Sequence, residues 1–190
     1  MSTGTTPAIR IMTMGHSTRP ISELIEILRA HGVNLLVDVR TVPKSRFNPQ
    51  FNKEAMPGPL NAAGIEYRHM PGLGGLRHSR RDSVNMGWRN ASFRGYADYM
   101  QTEEFEAALG ELLEVSAGRK AAVMCAEAVP WRCHRSLIGD ALVARGVEVW
   151  DILSASKAAP HRMTPFARVE GTRVTYPADQ KALFSPDQVE

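Results

Sequence analysis

Cysteine is scarce in this sequence, and long apolar runs are missing. Two cysteines among 190 residues cannot form the disulfide framework of a small secreted protein. No apolar run reaches the ~18 residues that a membrane-spanning helix needs. Residues 1–10 lack the apolar centre of a signal peptide. We therefore expect a cytoplasmic protein with reduced thiols and no membrane partner.

The sequence also lacks internal repeats and low-complexity segments. Its 190 residues, 43% of them hydrophobic, suffice to bury one core. We predict a single α/β domain over residues 1–190, with the core at about 9–153 and a C-terminal hairpin and tail at 154–190. The sequence gives no indication of the oligomeric state.

Apolar runs rich in β-branched residues alternate with amphipathic segments along the chain. They predict five strands, at 9–14, 34–40, 65–70, 120–124 and 147–153, with helices between them. Ser22 is the predicted N-cap of the helix after the first strand. A helical region at 96–117 is predicted to consist of two helices, and Thr102 is the predicted N-cap of the second. Strands alternating with helices indicate the α/β class, with a mostly parallel central sheet of about five strands flanked by helices. A hairpin at 166–176 follows as a small appendage.

Polar groups follow several of the predicted strands. His16 and Ser17 follow the first strand, Arg40 ends the second, and Cys125 and Glu127 follow the fourth. The carboxyl ends of parallel strands lie at one edge of the sheet, where open α/β sheets bind their ligands. We therefore predict that these residues gather at a single site.

The segment from Val123 to Ser136 holds both cysteines, between a predicted strand and a predicted helix. A helix start near Cys133 favours anions, because its N–H groups are free and its dipole is positive there. The same environment, together with nearby arginines, lowers the pKa of a thiol. We predict Cys125 as a nucleophile or hydrogen-bonding group, and as proton-transfer groups we select His16, His134 and Glu127.

Guanidinium groups match the geometry of phosphate and carboxylate. The predicted substrate-binding and anion-binding residues are Ser17, Arg40, Arg46, Arg94, Arg132, Cys133 and Arg135. Together these residues predict an enzyme for a phosphorylated or other anionic substrate, with nucleotides included among the candidates. A thiol-dependent transferase or hydrolase is the corresponding enzyme class.

The order strand, cysteine, loop, arginine, helix is also used by cysteine phosphatases and rhodanese sulfurtransferases. Phosphatases space the two residues as Cys-x5-Arg, whereas Cys125 and Arg132 are spaced as Cys-x6-Arg. Pro130 also removes one loop N–H. Thiol chemistry of the rhodanese or phosphatase type therefore stays an alternative.

A metal site is another use for these side chains. Cys125, Glu127, Cys133 and His134 could supply zinc ligands together with His16 or His69. Because Cys133 and His134 are adjacent in the chain, we expect that they cannot readily share a tetrahedral site. We predict no cofactor, with zinc as the alternative.

Nucleic-acid binding is the remaining alternative. The net charge of the chain is +3, and arginines are concentrated between residues 68 and 94. These arginines are Arg68, Arg77, Arg80, Arg81, Arg89 and Arg94. Loops of this kind can contact phosphates of a nucleic acid.

Several motifs together resemble the DUF488 family, a group of small bacterial and archaeal α/β proteins named for their lack of an assigned function. The resemblance extends from about Met14 to Pro177. It rests on Gly15-His16-Ser17, Asp38-Val39-Arg40, Ser45-Arg46-Phe47-Asn48-Pro49, Phe93-Arg94-Gly95-Tyr96, Met124-Cys125-Ala126-Glu127, Cys133-His134-Arg135 and Met163-Thr164-Pro165-Phe166-Ala167. It implies an α/β fold and a shared polar site, and it supplies no reaction.

Overall fold

A six-stranded sheet organises the computed structural model, which describes residues 9–178. The strands are β1 (Arg10–Gly15), β2 (Leu35–Asp38), β3 (Glu66–His69), β4 (Ala121–Cys125), β5 (Glu148–Ser154), β6 (Lys157–Pro160), β7 (Arg168–Glu170) and β8 (Arg173–Thr175). The order in the sheet is β3-β2-β4-β1-β5-β6, and β7 pairs with β8 in a separate antiparallel hairpin. Strands β1 to β5 are parallel to their neighbours, whereas β6 is antiparallel to β5. The predicted α/β class, mostly parallel sheet and C-terminal hairpin are confirmed.

Strand β6 was not predicted from the sequence. It follows β5 after a tight turn and has no β-branched residue, so its sequence lacks the usual strand pattern. It is the edge strand of the sheet, with a neighbouring strand on one side only. Pro160, which has no N–H group, is tolerated there because the outer side of an edge strand forms no hydrogen bonds within the sheet. The predicted tail beyond residue 178 and residues 1–8 of the predicted domain lie outside the described residues.

Within residues 9–178, five α-helices cover the two faces of the sheet: α1 (Ile21–Ala30), α2 (Pro57–Ala62), α3 (Ala91–Tyr99), α4 (Glu103–Ser116) and α5 (Arg135–Val143). Apolar residues of α1 and α2 pack with Met124 on one face. Residues of α3, α4 and α5 pack with Val123 and Cys125 on the other. Successive side chains of a strand point to opposite faces. Cys125 therefore lies on the face that α5 covers.

The helix starts partly follow the predicted caps. Thr102 caps α4 as predicted, because its hydroxyl accepts a hydrogen bond from the Phe105 N–H. The prediction for Ser22 is wrong: α1 begins at Ile21 and its N-cap is Pro20, whose ring fixes the backbone there without a side-chain bond. Helix α3 begins earlier than the predicted helical region, at an Asn90 cap.

The hairpin packs onto the body of the molecule. Val174 is buried with the α3–α5 face, and the Tyr176 hydroxyl donates to the buried carboxylate of Asp140 at 2.8 Å. None of the helices within residues 9–178 has the length and apolar character to cross a membrane.

Candidate active site

The carboxyl ends of β1, β2 and β4 bring most of the predicted residues together. Strand β4 lies between β2 and β1, so that Cys125 pairs with Gly15 and Met124 pairs with Asp38. A cleft of about 450 Å³ opens there, and the predicted residues that line it are Arg40, Cys125, Glu127, Arg132, Cys133 and His134. A neighbouring cleft of about 360 Å³ is lined by His16, Ser17, Arg40 and Glu127 among others. Arg40 and Glu127 thus belong to both clefts.

The two thiols and one imidazole meet at a single point. The Nδ1 atom of His134 lies 3.9 Å from the sulfur of Cys125 and 3.7 Å from the sulfur of Cys133. Both cysteines are buried and free, and the three atoms all lie within 4.8 Å of one another. Adjacent Cys133 and His134, which were not expected to share a tetrahedral site readily, thus bring their ligand atoms to the same point. Cys133 has an extended backbone and His134 a helical one, and this change turns both side chains inward.

The surroundings of His134 decide where its proton lies. Its Nε2 atom is buried and has no hydrogen-bond partner within residues 9–178. Its ring lies against Tyr96, with 4.9 Å between the ring centroids. A buried N–H without an acceptor is costly. The proton of the neutral ring is therefore better placed on Nδ1, where the sulfurs accept it.

The two thiols shift each other's pKa in opposite directions. A hydrogen bond from the Cys133 thiol lowers the pKa of Cys125 to about 4. Burial opposes this shift, while His134 and the backbone N–H of Glu127 add to it. The pKa of Cys133 is raised, because its proton is held by Cys125 and because the group is buried. These opposite shifts favour a thiolate on Cys125 with the remaining thiol on Cys133.

Arg135 fixes the loop that follows Cys125. This buried side chain donates to the backbone carbonyl of Glu127 and, at 2.9 Å, to that of Ala128. The described residues contain no cis peptide bond, and in a planar trans peptide the N–H points away from the C=O. The N–H groups of Ala128 and Val129 therefore point away from Arg135. No backbone acceptor takes either N–H within the described part of the chain.

Gly15 allows this loop to lie against β1. A Cβ atom at this position would collide with the backbone carbonyl of Glu127. The backbone N–H of His16 donates to the Cys125 carbonyl, and that of Ser17 donates to the Ala126 carbonyl, both at 2.9 Å. Glycine is therefore needed here for close backbone approach rather than for its dihedral freedom.

His16 is held in one protonation state by Arg40. The Arg40 Nη1 atom lies 3.1 Å from His16 Nε2 and must donate to it. The proton of the ring is then on Nδ1, which donates to the Ser17 carbonyl at 2.7 Å. Burial lowers the pKa of His16, and the positive charge of Arg40 adds to this effect. Both ring nitrogens of His16 therefore have hydrogen-bond partners within the protein.

Arg40 connects this histidine to the sheet. Its guanidinium forms two hydrogen bonds with Asp38, at 2.9 and 2.6 Å, and a third with the Phe51 carbonyl at 2.7 Å. With the bond to His16, four of the five N–H groups of the guanidinium have a partner. One N–H is left for a ligand of the clefts that Arg40 lines.

The other predicted anion-binding arginines are distributed differently. Arg132 lines the larger cleft. Arg135 is buried beneath the loop, and Arg94 donates to the Trp88 carbonyl at 3.1 and 2.9 Å. Arg46 is exposed and lines neither cleft. The structure therefore does not bring Arg46, Arg94 and Arg135 to the clefts.

Some residues of the site were not selected from the sequence. Lys44, Ser45 and Asn48 line the smaller cleft. The sequence could have indicated them, because they belong to a polar segment in the connection that follows β2 and Arg40. Phe47 in the same run is 89% exposed and does not anchor the loop to the core.

The arginine-rich segment uses much of its charge internally. The Arg77 guanidinium lies 3.5 Å over the Tyr99 ring and donates to the carbonyls of Gly72 and Gly74. Arg80 forms an exposed ion pair with Asp82 at 2.9 Å. Such contacts position a loop rather than a ligand.

The donor atoms of the cysteine–histidine cluster are of the kinds that zinc prefers. Zinc bonds of ~2.3 Å to sulfur and ~2.0 Å to nitrogen place tetrahedral ligands about 3.6 Å apart. The separations of 3.9 and 3.7 Å are close to that value. A metal on Nδ1 would, however, leave a buried Nε2–H of His134 without an acceptor. Metal-bound histidines normally donate that second N–H, so the surroundings fit a metal less well than the donors do.

Fold and site together define an α/β protein with a cysteine–histidine cluster at the carboxyl edge of a mostly parallel sheet. The family model described as "Domain of unknown function DUF488" matches residues 20–142, and the chain belongs to this family. The cluster and the second strand lie inside the matched region, whereas His16 and Ser17 precede it. No curated protein and no solved structure matches the chain.

Proposed function

We propose that this protein is a thiol-dependent enzyme that acts on a phosphorylated or other anionic small molecule, with nucleotides among the candidates. The contact of His134 Nδ1 with the Cys125 sulfur, at the floor of the 450 Å³ cleft, carries the proposal. The free thiols support a cytoplasmic location.

The thiolate of Cys125 is the nucleophile. Its sulfur forms a bond to the electrophilic atom of the substrate, and the bond to the leaving group breaks. The leaving group departs with that electron pair and takes a proton from water. Glu127, which lines both clefts, then takes a proton from the attacking water or acceptor hydroxyl and passes it to solvent, while the bond to sulfur breaks and the thiolate is released. Hydrolysis and transfer therefore differ only in the acceptor.

The anion is held by groups along the two clefts. The N–H group of Ala128, which lines the smaller cleft, faces away from Arg135 and can stabilise negative charge, as in an oxyanion hole. Arg132 in one cleft, Lys44 in the other and the remaining N–H of Arg40 between them supply the positive charge. His16 positions Arg40 and does not transfer protons.

Alkylation of Cys125 by iodoacetamide, followed by mass spectrometry as a function of pH, tests the nucleophile. We expect fast alkylation already at about pH 6, where a thiol with an ordinary pKa of ~8.5 is less than about 1% ionised. Cys133→Ser is the matched variant, and its weaker hydrogen bond should raise the pKa of Cys125. A wild-type rate that rises only around pH 8.5 would contradict the proposal.

The anion site is tested in the same assay. Inorganic phosphate or sulfate should slow alkylation of the wild-type protein in a saturable way. The variant Arg132→Ala should need a higher phosphate concentration for the same protection. If saturating phosphate leaves the alkylation rate unchanged, the proposed anionic substrate is contradicted, whereas the proposed Cys125 thiolate is not.

A further inference from the structure

Cys133 lies beside the proposed nucleophile, and the chemistry above gives it no step of its own. Its sulfur and that of Cys125 are both within the 4.8 Å cluster, and both residues line the larger cleft. We infer that these two cysteines form a reversible disulfide when a hydroperoxide enters the cleft, with Cys125 oxidised first and Cys133 as the resolving thiol. This inference rests on the proposed function, because it uses the same thiolate.

The backbone around Cys133 allows the two sulfurs to meet. A disulfide needs a sulfur–sulfur distance of ~2.05 Å, so the pair must close by less than about 3 Å. Cys125 ends β4, whereas Cys133 lies in the short connection between a 3₁₀ turn and α5. The gap can therefore be closed by movement in the connection that holds Cys133, while β4 stays in place. The buried Cys133 points toward the cleft already, since its sulfur shares His134 Nδ1 with Cys125.

The oxidation proceeds in two balanced steps. The Cys125 thiolate attacks one oxygen of the hydroperoxide, so that a sulfur–oxygen bond forms and the oxygen–oxygen bond breaks. The departing alkoxide or hydroxide takes a proton from water, and Cys125 becomes a sulfenic acid. The Cys133 sulfur then attacks the Cys125 sulfur, and hydroxide leaves with the Cys133 proton as water. The two sulfurs are oxidised, and the hydroperoxide is reduced to an alcohol or water.

The geometry favours the disulfide over further oxidation. A sulfenic acid reacts with any thiol within reach, and an exposed one is otherwise oxidised to the irreversible sulfinic acid. Here a thiol lies in the same cluster, and both sulfurs are largely shielded, with Cys125 7% and Cys133 3% exposed. The disulfide removes the nucleophile until a reductant restores it.

Stepwise addition of hydrogen peroxide to the full-length protein tests this inference. Intact mass is measured after denaturation and thiol alkylation. We expect loss of both alkylatable thiols together, a mass lower by two hydrogen atoms, and complete recovery with dithiothreitol. The variant Cys133→Ser should instead hold a Cys125 sulfenic acid that dimedone traps. The variant Cys125→Ser should keep its Cys133 thiol over the same peroxide range.

Two outcomes would overturn the inference. One is a sulfinic acid on Cys125 while Cys133 stays alkylatable, and the other is a disulfide between two molecules. The iodoacetamide profile separates this failure from failure of the proposed function. Fast alkylation of Cys125 at about pH 6 without an internal disulfide rejects only the resolving role of Cys133.

Discussion

The imidazole of His161 lies between two carboxylates, and this contact links the C-terminal segment to the sheet. Its Nδ1 atom is 3.0 Å from Asp151, and its Nε2 atom is 3.0 Å from Asp140. Both nitrogens must carry a proton to donate, so the ring is an imidazolium. Burial alone lowers the pKa of His161, but the hydrogen bonds to Asp140 and Asp151 outweigh burial and raise it to about 9.

This shift predicts how stability depends on pH. The pKa rises from an ordinary value of 6.5 in the unfolded chain to about 9 in the folded protein. At ~1.4 kcal/mol per unit, protonation contributes about 3 kcal/mol to the free energy of unfolding. Because the folded pKa is the higher one, the full contribution is present below pH 6.5 and is lost as the pH rises through 9. The side chain is only 3% exposed, so solvent screens the interaction little.

Urea unfolding at several pH values between about 6 and 9.5 measures this effect. We expect the free energy of unfolding to fall by about 3 kcal/mol across that interval. His161→Gln should be less stable at pH 6 and should lack this slope. His78→Gln is the matched control, because His78 is exposed and should behave like the wild type. A wild-type profile that is flat from pH 6.5 to 9, or a slope that survives in His161→Gln, would refute the reasoning.

Two further predictions concern the site. Arg135→Met should lower the free energy of unfolding by about 1 to 3 kcal/mol, because the partly buried carbonyls of Glu127 and Ala128 lose their donor. Arg132 is exposed, so in urea unfolding the free energy of unfolding of Arg132→Ala should stay within about 0.5 kcal/mol of the wild type. Equal losses in the two variants would contradict the view that Arg135 supports the loop and Arg132 does not. For the metal, elemental analysis of freshly purified protein should find less than stoichiometric zinc, because a metal on His134 would leave Nε2–H unpaired. One zinc per chain that a chelator removes, with faster Cys125 alkylation afterwards, would instead make the cluster a metal site.

The position of the site could be predicted from the sequence because it depends on sheet topology. Strand β4 shows a clear apolar run, and a polar residue directly after such a run lies at the carboxyl edge of a parallel sheet. The proximity of Cys125, Arg40 and His16 could therefore be predicted, because each of them lies at or just beyond the end of its own apolar run. Strand β6 has no such pattern, because an edge strand needs little burial.

The roles within the site could not be predicted in the same way. Whether an arginine faces a ligand or supports a loop depends on burial and on backbone carbonyls, and neither is visible in a spacing. Arg132 and Arg135 are close in sequence, yet Arg132 lines the cleft and Arg135 is buried beneath the loop that follows Cys125. The convergence of Cys133 and His134 depends on one change of backbone conformation between neighbours. His16 has a position suited to proton transfer, but its partner Arg40 occupies the nitrogen that would be needed.

Arg135 links the stability of the fold to the ionisation of the cysteine pair. Its guanidinium is 1% exposed and donates only to carbonyls, and it forms no ion pair with a carboxylate within residues 9–178. A buried charge without a counterion is costly. The positive charge of Arg135 acts on the cysteine pair by lowering the pKa of Cys133, against the larger effects of Cys125 and burial that raise it. Arg135 also holds the carbonyl of Glu127, and the backbone N–H of the same residue lowers the pKa of Cys125. Replacing Arg135 should then both destabilise the fold and, by loosening the loop that supplies this N–H, raise the pKa of the Cys125 thiol. Iodoacetamide alkylation as a function of pH measures the second effect.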